Sequence, residues 1–149
     1  TNTYSASNDY RYRYIQLGSL GKSKSLYGLK LSLRIQEDTA EHIQYRAYFD
    51  NGVWSNWTNG NTIVNSTRTM QAFCVRLTDD LAQSFDIYYS AYVSGIGWMN
   101  WSKNGSAAGT RGYGYPMESL RIIIAKKGLT LEQLDLDGVY DNENSFLYK

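Results

Sequence analysis

A stretch of fifteen residues occurs twice in this chain, and any fold must accommodate both copies. Ile43–Trp57 and Ile87–Trp101 are identical at seven of fifteen aligned positions: the Ile, Tyr, Ala, Tyr, Trp, Asn and Trp. In each copy a period-2 pattern places alternate residues on opposite strand faces. Ile43, Tyr45, Ala47 and Phe49 fall on one face, and Gln44, Arg46, Tyr48 and Asp50 on the other. A second apolar-alternating run follows each copy, Met70–Leu77 and Met117–Ile124, and a third run, Leu26–Leu33, matches them. The aligned positions are Leu26/Met70/Met117, Leu29/Phe73/Leu120, Leu31/Val75/Ile122 and Leu33/Leu77/Ile124, while Gly18-x-x-Gly21 matches Gly109-x-x-Gly112.

The offsets of 44 to 47 residues set the repeat length. Units of that size, with a few strands each, cannot bury a face alone and must close on one another. The expectation is one all-β domain over 1–149, built of three pseudo-symmetric repeats, a β-prism or a β-trefoil. A degenerate repeat occupies about 1–36, complete repeats about 41–78 and 85–128, and a C-terminal closing segment 129–149. The first copy lacks its opening strand and both tryptophans, and Ser145–Tyr148 is the candidate strand to fill that gap.

Bulk properties narrow the function classes. With 149 residues the chain can bury a core without metal or disulfide staples. A net charge of +1, with no long single-sign run, argues against nucleic acid or a membrane surface as partner. No apolar run is long enough for a spanning helix. The single cysteine, Cys74, excludes an intrachain disulfide and a cysteine zinc site; as the counterpart of Lys30 and Arg121 it is expected on the wetter sheet face as a free thiol. Thr1 opens the chain without methionine or signal sequence, as expected of a mature product or an excised module. Aromatic residues make up 15%, with 14 tyrosines, a share suited to sheet cores or to recognition faces.

At these residues the chain resembles the clostridial hydrophobic repeat family, whose units carry a conserved tryptophan. The last copy carries the resemblance best: Tyr88–Val93, Gly97-Trp98-Met99-Asn100-Trp101, Asn104-Gly105, Gly109-Thr110-Arg111-Gly112-Tyr113-Gly114-Tyr115 and Met117-Glu118-Ser119-Leu120. The middle copy departs from it with Val53 for the glycine, Asn65 for the second loop glycine and Gln71 for the glutamate. The resemblance covers about 10–128. It implies a module of an exported, cell-surface protein of Gram-positive bacteria, binding polysaccharide or protein. It brings no catalytic residues.

The candidate ligand-binding residues are Trp57, Trp101, Asn56, Asn100, Asn59, Asn104, Tyr48 and Tyr92. Aromatic rings stack on sugar C–H faces while neighbouring amides bond hydroxyls. Trp54 and Trp98 directly follow the turn and read as core caps; Trp57 and Trp101, flanked by polar residues, are the better surface candidates. The competing reading is that all four tryptophans cap the core. Tyr48 and Tyr92, on the face opposite Tyr45 and Tyr89, are either exposed ligand rings or ordinary cross-strand pairs.

Catalysis is not expected. A glycosidase needs two carboxylates at a fixed separation, yet Gln71 and Tyr27 stand where Glu118 stands in the last copy. His42 is the only histidine, without a sequence partner for metal or acid–base work. Gly109–Tyr115 reads as a tight turn, since no helical pattern follows to make a phosphate site. The acidic run Asp135-x-Asp137-Gly-x-x-Asp141-x-Glu143 falls short of a calcium loop. No metal or cofactor is implied. The partner expected is a polysaccharide or glycoconjugate, or alternatively a surface protein in adhesion. Two complete units would give two weak sites acting by avidity.

Overall fold

The computed structural model describes residues 4–5, 12–18, 25–34, 41–130 and 144–149, with side chains for 25–33, 41–130 and 144–149. In chain order the elements are β1 (Tyr4–Ser5), β2 (Tyr12–Gly18), β3 (Gly28–Leu29), β4 (Leu33–Arg34), β5 (Ile43–Phe49), β6 (Thr58–Asn59), β7 (Val64–Asn65) and β8 (Met70–Leu77). After α1 (Asp79–Ser84) come β9 (Phe85–Val93), β10 (Gly97–Trp98), β11 (Ser102–Lys103), β12 (Ala108–Arg111), β13 (Met117–Lys126) and β14 (Phe146–Tyr148). The molecule is mostly β, and no barrel closes among the described residues. One five-stranded sheet runs β14-β12-β8-β5-β6; another runs β10-β9-β13-β2 with β11 also on β9.

The copies seen in the sequence recur in the backbone pairing. Opening and closing strands pair antiparallel with Ile43 opposite Leu77 in the middle copy and Ile87 opposite Ile124 in the last. Tyr45 faces Val75 as Tyr89 faces Ile122, and both ladders carry an irregularity at the same place, beside Phe49 and beside Met117. Since side chains alternate with period 2, one common register puts the same positions inward in both copies.

Glycine-bearing strands link one copy to another. Gly109 on β12 pairs with Ala72 on β8, and Gly18 on β2 pairs with Ser119 on β13. Gly28 on β3 pairs with Asn65 on β7 in the same sense. Asn65 is therefore the counterpart of Gly109, the first glycine of the loop, and the three-residue difference in repeat length lies in the loop after it. Gly109 cannot carry a side chain: its φ is 114°, and a Cβ would lie 2.3 Å from the Gln71 carbonyl oxygen. Aligned residues also bond one another, Met70 N–H donating to Leu26 O at 2.7 Å and Leu26 N–H to Met117 O at 2.8 Å.

The inward faces meet in one core containing Leu29, Leu31 and Leu33 of the first copy, Tyr45, Phe73 and Val75 of the middle one, and Tyr89, Leu120 and Ile122 of the last. The phenol of Tyr45 donates to Thr62 O and that of Tyr89 to Ser106 O, each at 2.5 Å. These matched bonds satisfy hydroxyls that burial would otherwise penalise. Burial raises both phenol pKa values, with backbone hydrogen bonds partly opposing it.

Phe146–Tyr148 does form a strand, but not beside the first copy. It adds in parallel to β12, while the first copy's closing run pairs with β1 and β7. Leu147 packs on the core from there. The acidic run 135–143 lies outside the described residues.

Candidate functional site

The second face of each hairpin is roofed by its own Trp-x-x-Trp segment. In the middle copy Ser55 N–H donates to Ala47 O, and Ala47 N–H donates to Ser55 Oγ. In the last copy Met99 N–H donates to Ala91 O, and Ser90 Oγ donates to Met99 O. These bonds fold the tryptophans back over the outward residues of the hairpin. Tyr48 packs on Trp54 and Tyr92 on Trp98, both with ring centroids 5.3 Å apart.

An arginine sits under each roof, but it comes from different strands. In the last copy Arg121 on β13 stacks 4.3 Å from Trp98 and 4.4 Å from Trp101. In the middle copy Arg46 on β5 lies 4.6 Å from Trp54 and 5.1 Å from Trp57. The two arginines occupy the two sides of one cross-strand pair: Arg46 opposite Cys74, and Ser90 opposite Arg121. A guanidinium stacked on indole is stabilised by the ring quadrupole, which offsets much of its desolvation. This explains how Arg121 can be buried.

Three expectations are corrected here. Trp101 is completely buried, packed with Tyr88, Ile123 and Ala125, so it offers no surface ring. Trp98, expected as a core cap, is the partly exposed member of the pair. Cys74 is fully buried opposite Arg46 in the middle copy, not on a wet face. Burial raises its pKa, with a hydrogen bond and the charge of Arg46 acting the other way.

The remaining candidates divide between the copies. In the last copy Asn104 is engaged: its Oδ1 accepts from Ile87 N–H and its Nδ2 donates to Asp86, both at 2.9 Å. Asn100 is half-buried, its N–H donating to Asn144 O of the C-terminal segment. In the middle copy Asn56 and Asn59 are exposed, Asn59 Oδ1 accepting from Gln44 Nε2 at 2.7 Å. Trp54 and Trp57 are half-buried, and Arg76 stacks on Trp57 at 3.8 Å. Tyr48 is nearly buried and Tyr92 half-buried. The structure therefore leaves Asn56 and Asn59 exposed and Trp57 half-buried in the middle copy, with Tyr48 buried against Trp54. In the last copy Trp101 is buried, Asn100 is half-buried and Asn104 is exposed with its amide committed to Ile87 and Asp86.

Sequence reasoning missed Arg46, Arg76 and Arg121. A usable signal was present, because an arginine occupies one side of the same cross-strand pair in both copies. Glu118 and His42 are both buried. Residues 92–126 match the Clostridial hydrophobic W (ChW) family model. The ChW match spans Trp98, Trp101, Arg121 and β13, that is, the roof, its buried cation and the closing strand. It marks the chain as carrying a repeat module. No curated protein and no solved structure matches the chain.

Proposed function

We propose that this chain is a non-catalytic, carbohydrate-binding module of an exported, cell-surface protein of a Gram-positive bacterium. The middle copy's outward face is the binding surface. The observation that carries this reading is the exposure of Asn56 and Asn59 beside half-buried Trp54 and Trp57, where the last copy has a half-buried Asn100 and a fully buried Trp101. Exposed amides next to indole edges suit a shallow sugar site of modest affinity. Arg76 and Arg46 hold Trp57 from within, so the site is preorganised rather than free to collapse. The ChW match supports the module reading.

The architecture proposed with it is a three-sheet β-prism in which each glycine-bearing strand completes a neighbouring unit's sheet. The matched pairs Gly18/Ser119, Asn65/Gly28 and Gly109/Ala72 support it, as does the open state of the sheets. A crystal structure tests it by superposing the three units through a common threefold rotation.

A second reading, a protein–protein or adhesion surface, is favoured by one feature, the 56% exposure of Val53 beside Trp54. A neutral-glycan array run with Asn56→Ala and Trp57→Ala separates the two. Glycan binding weakened by both changes supports the carbohydrate reading; silence on glycans with a protein partner retained favours adhesion.

A further inference from the structure

Among the described residues, a cluster of exposed aromatic rings lies where the C-terminal strand meets β12. Tyr148 is 67% and Tyr115 41% exposed. Each belongs to a stacked pair: Phe146–Tyr148 with centroids 5.5 Å apart, and Tyr113–Tyr115 at 5.6 Å. The parallel pairing of β12 with β14 sets Arg111 opposite Tyr148, and Arg111 is itself exposed, 5.7 Å from the Tyr48 ring. Lys149 Nζ lies 4.8 Å over Tyr113, and the Lys149 N–H donates to Arg111 O. Two cations and four rings thus share one sheet edge.

Neither cation of this patch is neutralised by a described side-chain carboxylate. Among the described residues no carboxylate forms an ion pair with Arg111 or Lys149, whereas Arg68, Lys103 and Lys127 are each beside an aspartate. Stacked tyrosines with exposed faces match the C–H faces of sugars, and each adds a hydroxyl for hydrogen bonding. A guanidinium and an ammonium beside them match carboxylate or phosphate oxygens. A chain with a net charge of only +1 does not collect anions generally, so the local pairing of rings and cations is what selects.

We infer that the edge formed by Arg111, Tyr113, Tyr115, Phe146, Tyr148 and Lys149 is a binding site for an anionic polysaccharide. It is separate from the Asn56–Trp57 face and adjoins it through Tyr48. The rings stack on the sugar units and Arg111 and Lys149 pair with their acidic groups. Gly109 serves this site indirectly, because only glycine lets β12 approach β8 and still pair with β14 on its other side.

Affinity electrophoresis through immobilised polymers tests the inference. The probes are a polyuronate, a poly(glycerol phosphate), neutral dextran and poly-glutamate. The wild-type chain is expected to be retarded by at least one of the two anionic sugar or polyol polymers, less at high salt because exposed charges are screened. Arg111→Gln and Tyr148→Ala, both at exposed positions, should each weaken that retardation by about 3- to 10-fold with thermal stability little changed. Retardation by only one of the two polymers names the acidic group as carboxylate or phosphate. Absence of retardation by both overturns the inference, as does retardation that neither change affects. Equal retardation by poly-glutamate overturns it too, because the patch would then read charge without sugar. Asn56→Ala should leave anionic binding intact and Tyr148→Ala should leave neutral-glycan binding intact, so failure here is distinct from failure of the face around Trp57.

Discussion

Moving the buried arginine across its strand pair tests the logic of the tryptophan roof. Arg121→Cys gives the last copy no cation, since Ser90 faces it, and leaves Trp98 and Trp101 without the guanidinium they stack on. Each desolvated cation–π contact is worth about 1–2 kcal/mol, so losing two costs about 2–4 kcal/mol before any cavity is counted. Adding Ser90→Arg to Arg121→Cys recreates the arrangement of the middle copy, Arg46 opposite Cys74. That double variant loses the Ser90 Oγ bond to Met99 O, about 1 kcal/mol, and should otherwise recover most of the deficit. Urea unfolding of wild type, single and double variants reads the coupling directly. For a domain of this size a deficit of that order lowers the melting temperature by roughly 5–10 °C. A single variant within about 0.5 kcal/mol of wild type, inside the range of an inert surface change, would refute the reasoning. So would a double variant no more stable than the single one.

Other outcomes follow from named contacts. Tyr45→Phe and Tyr89→Phe each remove a matched buried hydroxyl and leave a carbonyl of Thr62 or Ser106 without it, so each should cost about 1–2 kcal/mol in denaturant unfolding. Cys74 should resist a thiol reagent in the folded protein and react once it is unfolded; rapid native labelling would contradict its burial. Burial alone would raise the Asp86 pKa, but hydrogen bonds from Lys127 and Asn104 and the charges of Lys103 and Lys127 outweigh it and hold the pKa below the ordinary 3.8. With a depressed folded pKa, this stabilisation is present above that ordinary value and is lost as pH falls through the folded one. Asp86→Asn should therefore flatten the acid limb of a stability–pH curve; an unaltered limb would count against it.

The parts of the fold carried by period-2 alternation were legible in the sequence. Tyr45, Tyr89, Leu120 and Ile122 recur at aligned positions and lie in the core, because repetition and alternation both report which face is inward. The outward face was not legible in the same way. Alternation distinguishes two faces but does not say that a distant segment covers the second one, so Trp101 and Cys74 read as exposed and are buried. Asn104 has the chemistry of a sugar ligand, yet its amide is committed to Asp86 and Ile87, a contact over seventeen or eighteen residues that spacing does not reveal. The C-terminal strand was recognised as a strand, but its neighbour was not, since no spacing in the sequence signals a parallel partner on β12. The aromatic edge beside it arises only from that pairing.

Calorimetric titration with a neutral oligosaccharide selected on the array tests the central claim most directly, because the proposed site uses the middle copy's Asn56 and Trp57, and the last copy's Trp101 is buried. The account predicts one equivalent bound per chain, abolished or strongly weakened by Asn56→Ala and by Trp57→Ala. Two equivalents, or one equivalent indifferent to both changes, would contradict it.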